Sequence, residues 1–207
     1  MPPHMSGHVD FSPDTDIPSL RNKVILVTGG TAGLGKASIE ALAKHEPAHI
    51  YFTGRNATAA QSLISSITQS NPSVALTFLE MDMGSLSTVK AALKRFAHDR
   101  LDILMCNAGI MASPAGLSKD GFEIQFAINH LGNAMVIQQL LPILKKTAEE
   151  PGSDIWVAAA AKRDELVNGA FYMPVGVESN SMLDKTAKDD ELARKLWEWT
   201  DEVLAKF

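Results

Sequence analysis

The chain has 207 residues, of which 45% are hydrophobic and 21% charged, and its formal net charge is -5 at pH 7. This size and apolar content predict one globular domain with its own hydrophobic core. The acidic balance, with Lys and Arg scattered among acids, argues against a nucleic-acid-binding surface. Residues 1–20 are rich in Pro, Ser, Asp and His and lack a basic start followed by an apolar core. We therefore expect this segment to be disordered, and neither a secretion signal nor a membrane anchor.

Apolar runs alternate with segments of helical periodicity along the rest of the chain. Strands are predicted at 23–28, 48–53, 74–79, 101–106 and 154–158, and helices at 34–45, 58–69, 86–98 and 121–146. This alternation predicts an α/β fold, a Rossmann-like doubly wound parallel sheet with helices on both faces. We assign it to a single domain over residues 21–207.

The first predicted strand runs into a glycine-rich loop. Val24–Val27 is typical of a strand buried on both faces, and Gly29, Gly33 and Gly35 follow it at the start of a helical segment. Residues without side chains allow a phosphate to approach the backbone amides of a helix N-terminus. The strand before and the helix after favour a dinucleotide-binding loop over an ordinary turn.

Charged residues follow the second and third predicted strands. Arg55 stands where a dinucleotide fold reads the ribose, and a guanidinium suits a 2′-phosphate, which favours NADP(H) over NAD(H). The alternative is a solvent-exposed arginine that opens a helix. Asp82 follows the third strand and is either a ligand-facing residue or an ordinary loop acid.

The cysteine and histidine content argues against disulfides and metal sites. Cys106, the single cysteine, ends the fourth apolar run, so we expect a buried thiol in a reducing, cytoplasmic compartment. The six histidines are scattered without metal-ligand spacing, and we expect no metal site.

Three motifs together resemble a known family. The loop TGGTAGLG at 28–35 and the triplet NAG at 107–109 match the TGxxxGhG and NAG motifs of classical short-chain dehydrogenase/reductases. The run DGFEIQFAINHLGN at 120–133 looks like the subclass that contains retinol dehydrogenases and related fungal reductases. The resemblance extends over about residues 21–160, and the shorter tail is 161–207.

The resemblance implies a set of NADP(H)-binding residues. They are Gly29, Thr31, Leu34 and Gly35 at the pyrophosphate, Arg55 at the 2′-phosphate, Asp82 and Met83 at the adenine, and Asn107, Ala108 and Gly109 at the nicotinamide-side ribose. Asn129 matches the helix asparagine that joins the family's catalytic tetrad and helps to order a proton-relay water.

The other catalytic residues of that family have no counterpart in the sequence. The family uses a serine after the fifth strand and a Tyr-x-x-x-Lys on the next helix, where the ammonium lowers the pKa of the phenol. Here Tyr51 has Arg55 four residues on, and Tyr172 has Gly176. At the serine position the chain reads VAAAA over 157–161. The sequence therefore predicts that canonical redox activity is absent.

The C-terminal part resembles the ends of longer fungal relatives with the interior missing. We expect an internal deletion between about Ala161 and Glu165, with the sheet truncated after its fifth strand. The exposed sheet edge then needs a partner, and we expect residues 170–173 to dock beside 154–158. In the terminal helix, 189–206, a stripe of Leu192, Leu196, Trp199 and Val203 is either core or a surface for a protein partner or self-association.

Two functions remain open from the sequence. The first is an NADP-dependent oxidoreductase by descent, acting on carbonyl or alcohol groups, in secondary metabolism as in the fungal relatives that the tail resembles. The second is a catalytically inactive remnant that binds a nucleotide or a protein partner. The small-molecule substrate stays unknown, and no membrane partner is expected.

Overall fold

In the part of the chain that the structure describes, four parallel strands form the central sheet. A computed structural model describes residues 11–150, 172–173, 177–178 and 180–207. Its first four strands are β1 (Val24–Val27), β2 (His49–Gly54), β3 (Ala75–Glu80) and β4 (Ile103–Met105), in the spatial order β3-β2-β1-β4. The register pairs Val24 with His49 and Ile25 with Ile103, and every pair in this sheet is parallel. The predicted α/β fold is confirmed.

Helices connect the strands and cover both faces of the sheet. They are α1 (Pro13–Asp16), α2 (Gly33–Ala43), α3 (Ala57–Ser70), α4 (Leu86–Leu93), α5 (Ile124–Phe126), α6 (Asn133–Glu149) and α7 (Asp190–Leu204). Short 3-10 turns occupy Asn180–Met182 and Thr186–Lys188.

The core has two layers because successive strand residues point to opposite faces. Ile25 and Val27 of β1 pack with residues of α2 and α3, whereas Val24 and Leu26 pack with residues of α4 and α6. All four residues of β1 are buried. A strand covered on both faces explains why its sequence is continuously apolar.

The long helix predicted over 121–146 is divided in the structure. The short α5 continues into a π-helical turn, Ala127–Gly132, and only then into α6. Glu123 begins the segment as an N-cap, with its carboxylate accepting hydrogen bonds from the amides of Gln125 and Phe126 at 3.0 and 2.7 Å. These two backbone hydrogen bonds lower the pKa of Glu123.

Part of the segment predicted to be disordered is ordered, which corrects the expectation for residues 11–20. Ile17 and Leu20 are buried in the core layer that contains α2. Lys44 contacts Asp14 at 2.6 Å, and the Leu20 amide donates to the His45 carbonyl at 2.8 Å. Two apolar side chains and these contacts hold the segment on α2.

The C-terminal region is described only in part. Strand β5 (Tyr172–Met173) pairs antiparallel with β6 (Val177–Glu178) in a separate two-stranded sheet. The predicted fifth strand at 154–158 lies outside the described residues, and so do the run at 157–161 and the point of the expected deletion. The expected docking beside 154–158 stays a prediction.

Helix α7 packs on the core by its C-terminal half. Val203 and Leu204 are buried, and the Thr200 hydroxyl lies 2.8 Å from Nε2 of His130. Leu192 and Leu196, in the N-terminal half, are 46% and 39% exposed. The predicted stripe is therefore core at one end and surface at the other. In the described part of the chain, no helix combines the length and the apolar composition needed to cross a bilayer.

Candidate functional site

The loops that follow the strands surround a cleft of about 430 Å³ at the carboxyl edge of the sheet. Ligands of open α/β sheets bind at this edge. Nine of the predicted site residues line the cleft: Gly29, Thr31, Leu34, Arg55, Asp82, Met83, Asn107, Ala108 and Gly109. Gly35, which is buried, and Asn129, which is exposed, are not part of that lining, and each has a different role.

The glycine loop lies against the loop that follows β4. Gly29 has a φ of +70°, which favours glycine, and a Cβ there would lie 3.0 Å from Cα of Ala108. A Cβ on Gly35 would lie 2.4 Å from the Gly29 carbonyl oxygen and 2.5 Å from Nδ2 of Asn107. The two positions therefore require glycine for close packing of the loops.

Helix α2 begins inside this loop without a side-chain cap. Its N-cap residue is Ala32, so no side chain accepts a hydrogen bond from the first helical amides. Unpaired amides and the helix dipole make such an end a site for a phosphate. The uncapped end and the glycine packing together fit a dinucleotide pyrophosphate.

Asn107 and Asn133 hold the loops in place. Nδ2 of Asn107 donates to the Thr28 carbonyl at 2.9 Å, and the Ala108 amide donates to the Thr28 hydroxyl at 2.9 Å. Asn133 is buried, and its Nδ2 donates to the Ala108 carbonyl at 3.0 Å, while Thr28 donates to its Oδ1 at 3.2 Å. Sequence reasoning missed the roles of Thr28 and Asn133.

The side chain of Asn129 holds the next part of the same loop. Its Oδ1 accepts from the Ile110 amide and its Nδ2 donates to the Ile110 carbonyl, both at 2.8 Å. Asn129 lies in the π-helical turn, four residues before Asn133, so one helix face carries both amides. That spacing is the signal by which Asn133 could have been found.

The other end of the cleft carries charged groups. Arg55 follows β2 directly, and Asn56 is the N-cap of α3, accepting from the Ala59 amide at 2.9 Å. Asp82 Oδ1 accepts from the Gly84 amide at 3.0 Å, and Lys119 Nζ lies 3.3 Å from Asp82 Oδ2. This end therefore offers a guanidinium and a fixed carboxylate.

A second cavity, here called the side cavity, opens beyond these charged residues. It measures about 580 Å³ and shares Arg55, Met81 and Asp82 with the cleft. The rest of its lining includes Glu80, Thr88, Arg95 and Lys119.

The cleft has few groups that can transfer a proton. Among the described residues that line it, the ionisable side chains are Arg55 and Asp82, both at the charged end. Cys106 follows β4 and is exposed, which corrects the expected burial, although partial burial of its sulfur raises the pKa of the thiol to about 11. No group of three or more His, Cys, Asp or Glu residues in the described ranges is placed to hold a metal.

Two curated fungal proteins are similar to this chain. The short-chain dehydrogenase/reductase drtF of Aspergillus calidoustus is 41% identical over 167 residues, which cover 78% of this chain and 52% of that protein. The short chain dehydrogenase/reductase dpchH of Colletotrichum higginsianum is 35% identical over 176 residues, 81% of this chain and 44% of that protein. The chain therefore spans about half the length of these relatives.

A solved structure shows the same fold. The L-sorbose reductase of Gluconobacter frateurii, solved with NADPH and L-sorbose, aligns with a TM-score of 0.52 at 23% identity. The alignment covers 63% of this chain and 50% of the reductase. The family model described as short chain dehydrogenase matches residues 23–174. That match spans well over half of the sequence, so the chain belongs to the short-chain dehydrogenase/reductase family.

Proposed function

We propose that this chain binds NADP(H) in the cleft and is, by descent, an oxidoreductase of carbonyl and alcohol groups. The observation that carries the proposal is the packing of the glycine loop. Gly29 and Gly35 leave no room for side chains between the loops, and α2 begins without a cap beside them. These features suit a pyrophosphate at the loop end of the cleft.

The charged end of the cleft supports the choice of NADP(H). The guanidinium of Arg55 faces solvent at the end of β2, and in the described part of the chain it has no ion-pair partner. A planar guanidinium matches a phosphate in charge and hydrogen-bonding geometry. In this proposal Asp82 and Met83 lie at the adenine, and Asn107, Ala108 and Gly109 lie at the nicotinamide-side ribose.

The catalytic part of the proposal is narrower. Bound NADPH supplies a hydride, and the family's tyrosine supplies a proton. This sequence contains no Tyr-x-x-x-Lys. In the described structure, the two hydrogen bonds from Asn129 to Ile110 indicate that Asn129 positions the loop that contains Ile110. We expect the chain to bind NADPH without turnover by the tyrosine mechanism. The proposed internal deletion accounts for the missing tyrosine and lysine.

The test is a titration of the full chain with NADPH and with NADH, followed by fluorescence of the reduced nicotinamide. We expect saturable binding, tighter for NADPH. A panel of carbonyl compounds then tests for substrate-dependent oxidation of bound NADPH. Absence of binding would contradict the proposal, and rapid turnover would contradict the expected loss of the tyrosine mechanism.

The alternative from the sequence is an inactive remnant whose role is to bind a nucleotide or a partner. Binding without any turnover is the outcome that this alternative shares with our proposal. A partner at α7 or at the sheet edge, a role in secondary metabolism and a cytoplasmic location stay predictions.

A further inference from the structure

A lysine from a distant loop neutralises the carboxylate at the charged end of the cleft. Nζ of Lys119 lies 3.3 Å from Oδ2 of Asp82, while Oδ1 of Asp82 accepts from the Gly84 amide at 3.0 Å. The side chain of Asp82 is 26% exposed and that of Lys119 is 66% exposed. The carboxylate is therefore held between a backbone amide and an ammonium that solvent reaches.

Backbone contacts position Lys119 independently of its ammonium. The Lys119 amide donates to the Gly84 carbonyl at 3.1 Å. Its neighbour Asp120 accepts from the Leu86 amide at 2.7 Å, at the N-terminus of α4. The loop is thus attached to α4 by groups that a change of the Lys119 side chain leaves in place. A substitution there tests the charge more than the fold.

The excess of positive charge in the side cavity depends on Lys119. The cavity is lined by the cations Arg55, Arg95 and Lys119 and by the acids Glu80 and Asp82. In the described residues, Arg55 and Arg95 have no ion-pair partner. With Lys119 the cations outnumber the acids, and without it they balance. An unscreened Asp82 would also repel a phosphate nearby.

We propose that Lys119 is a specificity-determining residue for the adenosine end of the cofactor. It neutralises Asp82 and gives the adjoining cavity an excess of positive charge, which favours adenosine ligands that carry an additional phosphate. This inference rests on the proposed NADP(H) binding and adds to it a residue outside the motifs.

The experiment measures the affinity of the full chain for fragments of the cofactor. The ligands are adenosine 2′,5′-bisphosphate, adenosine 5′-monophosphate and reduced nicotinamide mononucleotide, each titrated by calorimetry, with NADPH as the parent ligand. The variants are Lys119→Met and Lys119→Arg. The matched control is Lys146→Met, because the Lys146 side chain is similarly exposed and forms an ion pair, 3.1 Å from Asp99, outside the lining of both the cleft and the side cavity.

We expect Lys119→Met to weaken adenosine 2′,5′-bisphosphate binding by about three- to fivefold at low ionic strength, the range of an exposed charge interaction. The loss should be smaller for the monophosphate, absent for the nicotinamide fragment, and reduced by salt. Lys119→Arg should keep the affinity, and Lys146→Met should leave every affinity unchanged.

Three results would overturn the inference. The first is an unchanged affinity of Lys119→Met for the bisphosphate while wild type binds it. The second is an equal loss for the nicotinamide fragment, which indicates a structural role. If wild type binds neither NADPH nor any fragment, the proposed function fails and this inference fails with it. Thermal melting of each variant shows whether the fold is intact.

Discussion

At the scale of single residues, the cleft is held together by three amide side chains. Asn107 joins the loop after β4 to Thr28, Asn133 joins it to the helix, and Asn129 holds Ile110 by both of its polar atoms. An amide can donate and accept at once, so each of these side chains can bridge two backbone segments. The loops are therefore held by side-chain hydrogen bonds, two sets of which come from the helical segment that carries Asn129 and Asn133.

The first prediction concerns Gly35. A Cβ at this position would lie 2.4 Å from the Gly29 carbonyl oxygen, so Gly35→Ala must displace the loop or Asn107. We expect NADPH affinity to fall at least tenfold, since the displaced amides no longer point at the phosphates. The control is Gly116→Ala, where a Cβ has no atom within 4 Å. Equal NADPH affinity in both variants, measured by fluorescence titration, would contradict this role of Gly35.

The second prediction concerns Arg55. Arg55→Ala should weaken NADPH binding by about tenfold to a hundredfold, because a charge-assisted contact to a phosphate contributes roughly 1.5–3 kcal/mol. NADH binding should change little, since NADH lacks the 2′-phosphate. The control is Arg21→Ala, which removes an exposed arginine paired with Glu46. Parallel loss for both dinucleotides would show that Arg55 does not read the 2′-phosphate.

At the scale of elements, the start of β4 is held by a buried carboxylate. Asp102 is 1% exposed; its Oδ2 accepts from the Val24 amide at 2.9 Å, and Arg100 donates to both carboxylate oxygens. Lys23 lies 3.3 Å from Oδ1. Burial acts to raise the pKa of Asp102, but the hydrogen bonds from Arg100 and Val24 and the charge of Lys23 outweigh it and lower the pKa.

The third prediction follows from this carboxylate. Asp102→Ala should lower the free energy of unfolding by about 1–3 kcal/mol, because it leaves the buried Val24 amide without an acceptor and removes a carboxylate partner from the partly exposed Arg100 and Lys23. The control Asp99→Ala removes an exposed ion pair and should lower the free energy of unfolding far less. Urea unfolding at neutral pH measures both. A loss no larger than that of the control would contradict the assignment.

Wild-type stability should also depend on Asp102 at acidic pH. Since the pKa is lower in the folded protein, the contribution is full above the unfolded-state value of about 4 and is lost as the pH falls through the folded-state pKa. Asp102→Ala should lack this part of the acid dependence.

The fourth prediction concerns an aromatic cluster at the start of β2. The ring of His49 stacks on Tyr51 at 4.3 Å, and the Tyr51 hydroxyl lies 2.7 Å from Nδ1 of His98. Burial, with the nearby His98, lowers the pKa of His49 to about 4. The folded protein then binds fewer protons than the unfolded chain between about pH 6.5 and pH 4, so stability should fall as the pH falls through this range.

His49→Gln should remove that acid dependence while keeping a polar group near Thr77, whose hydroxyl lies 2.8 Å from Nε2 of His49. Urea midpoints for wild type and the variant across this pH range provide the measurement. The same slope in both proteins would mean that His49 is not the titrating group.

The sequence predicts the regular elements better than their junctions. Four predicted strands and their helices occur within a few residues of the observed bounds, since a strand buried on both faces requires a continuous apolar run. The sequence predicts that helix α4 ends at His98, but it ends at Leu93. Beyond this end, the Ala97 amide donates to the Tyr51 hydroxyl at 3.4 Å and not to a helical carbonyl. This contact joins residues far apart in the chain, and a local pattern does not encode it.

The candidate site also contains residues that the sequence predicts and contacts that it does not predict. The glycine loop and the NAG triplet are local motifs, so their residues could be placed in the cleft from the sequence. The pairing of Lys119 with Asp82 depends on how a loop folds over α4, and no spacing in the sequence reports it. The π-helical turn at Asn129 also escapes detection, because its apolar periodicity is close to that of an α-helix.

At the scale of the whole molecule, the terminal helix is part of the domain at one end only. Trp199 contacts Phe122 and Phe126, with ring centroids 6.0 and 5.8 Å apart, and Lys90 donates to the carbonyl of Phe207 at 2.6 Å. Helix α7 thus covers the segment that carries Asn129. We expect α7 to be stabilised by the tertiary packing of its C-terminal half, and not by the exposed apolar residues of its N-terminal half.

The last prediction tests this division of α7. Leu204→Ala should lower the free energy of unfolding by about 2–5 kcal/mol, because Leu204 is 3% exposed in the core and its removal leaves a cavity. Leu192→Ala, in the half where the side chain is 46% exposed, should change it by less than about 0.5 kcal/mol. Urea unfolding followed by tryptophan fluorescence and by circular dichroism separates loss of the whole domain from release of α7 alone. Coincident transitions by both probes are expected, because the C-terminal half of the helix shares the core of the sheet; a separate early transition, or equal effects of the two substitutions, would show that α7 does not belong to that core.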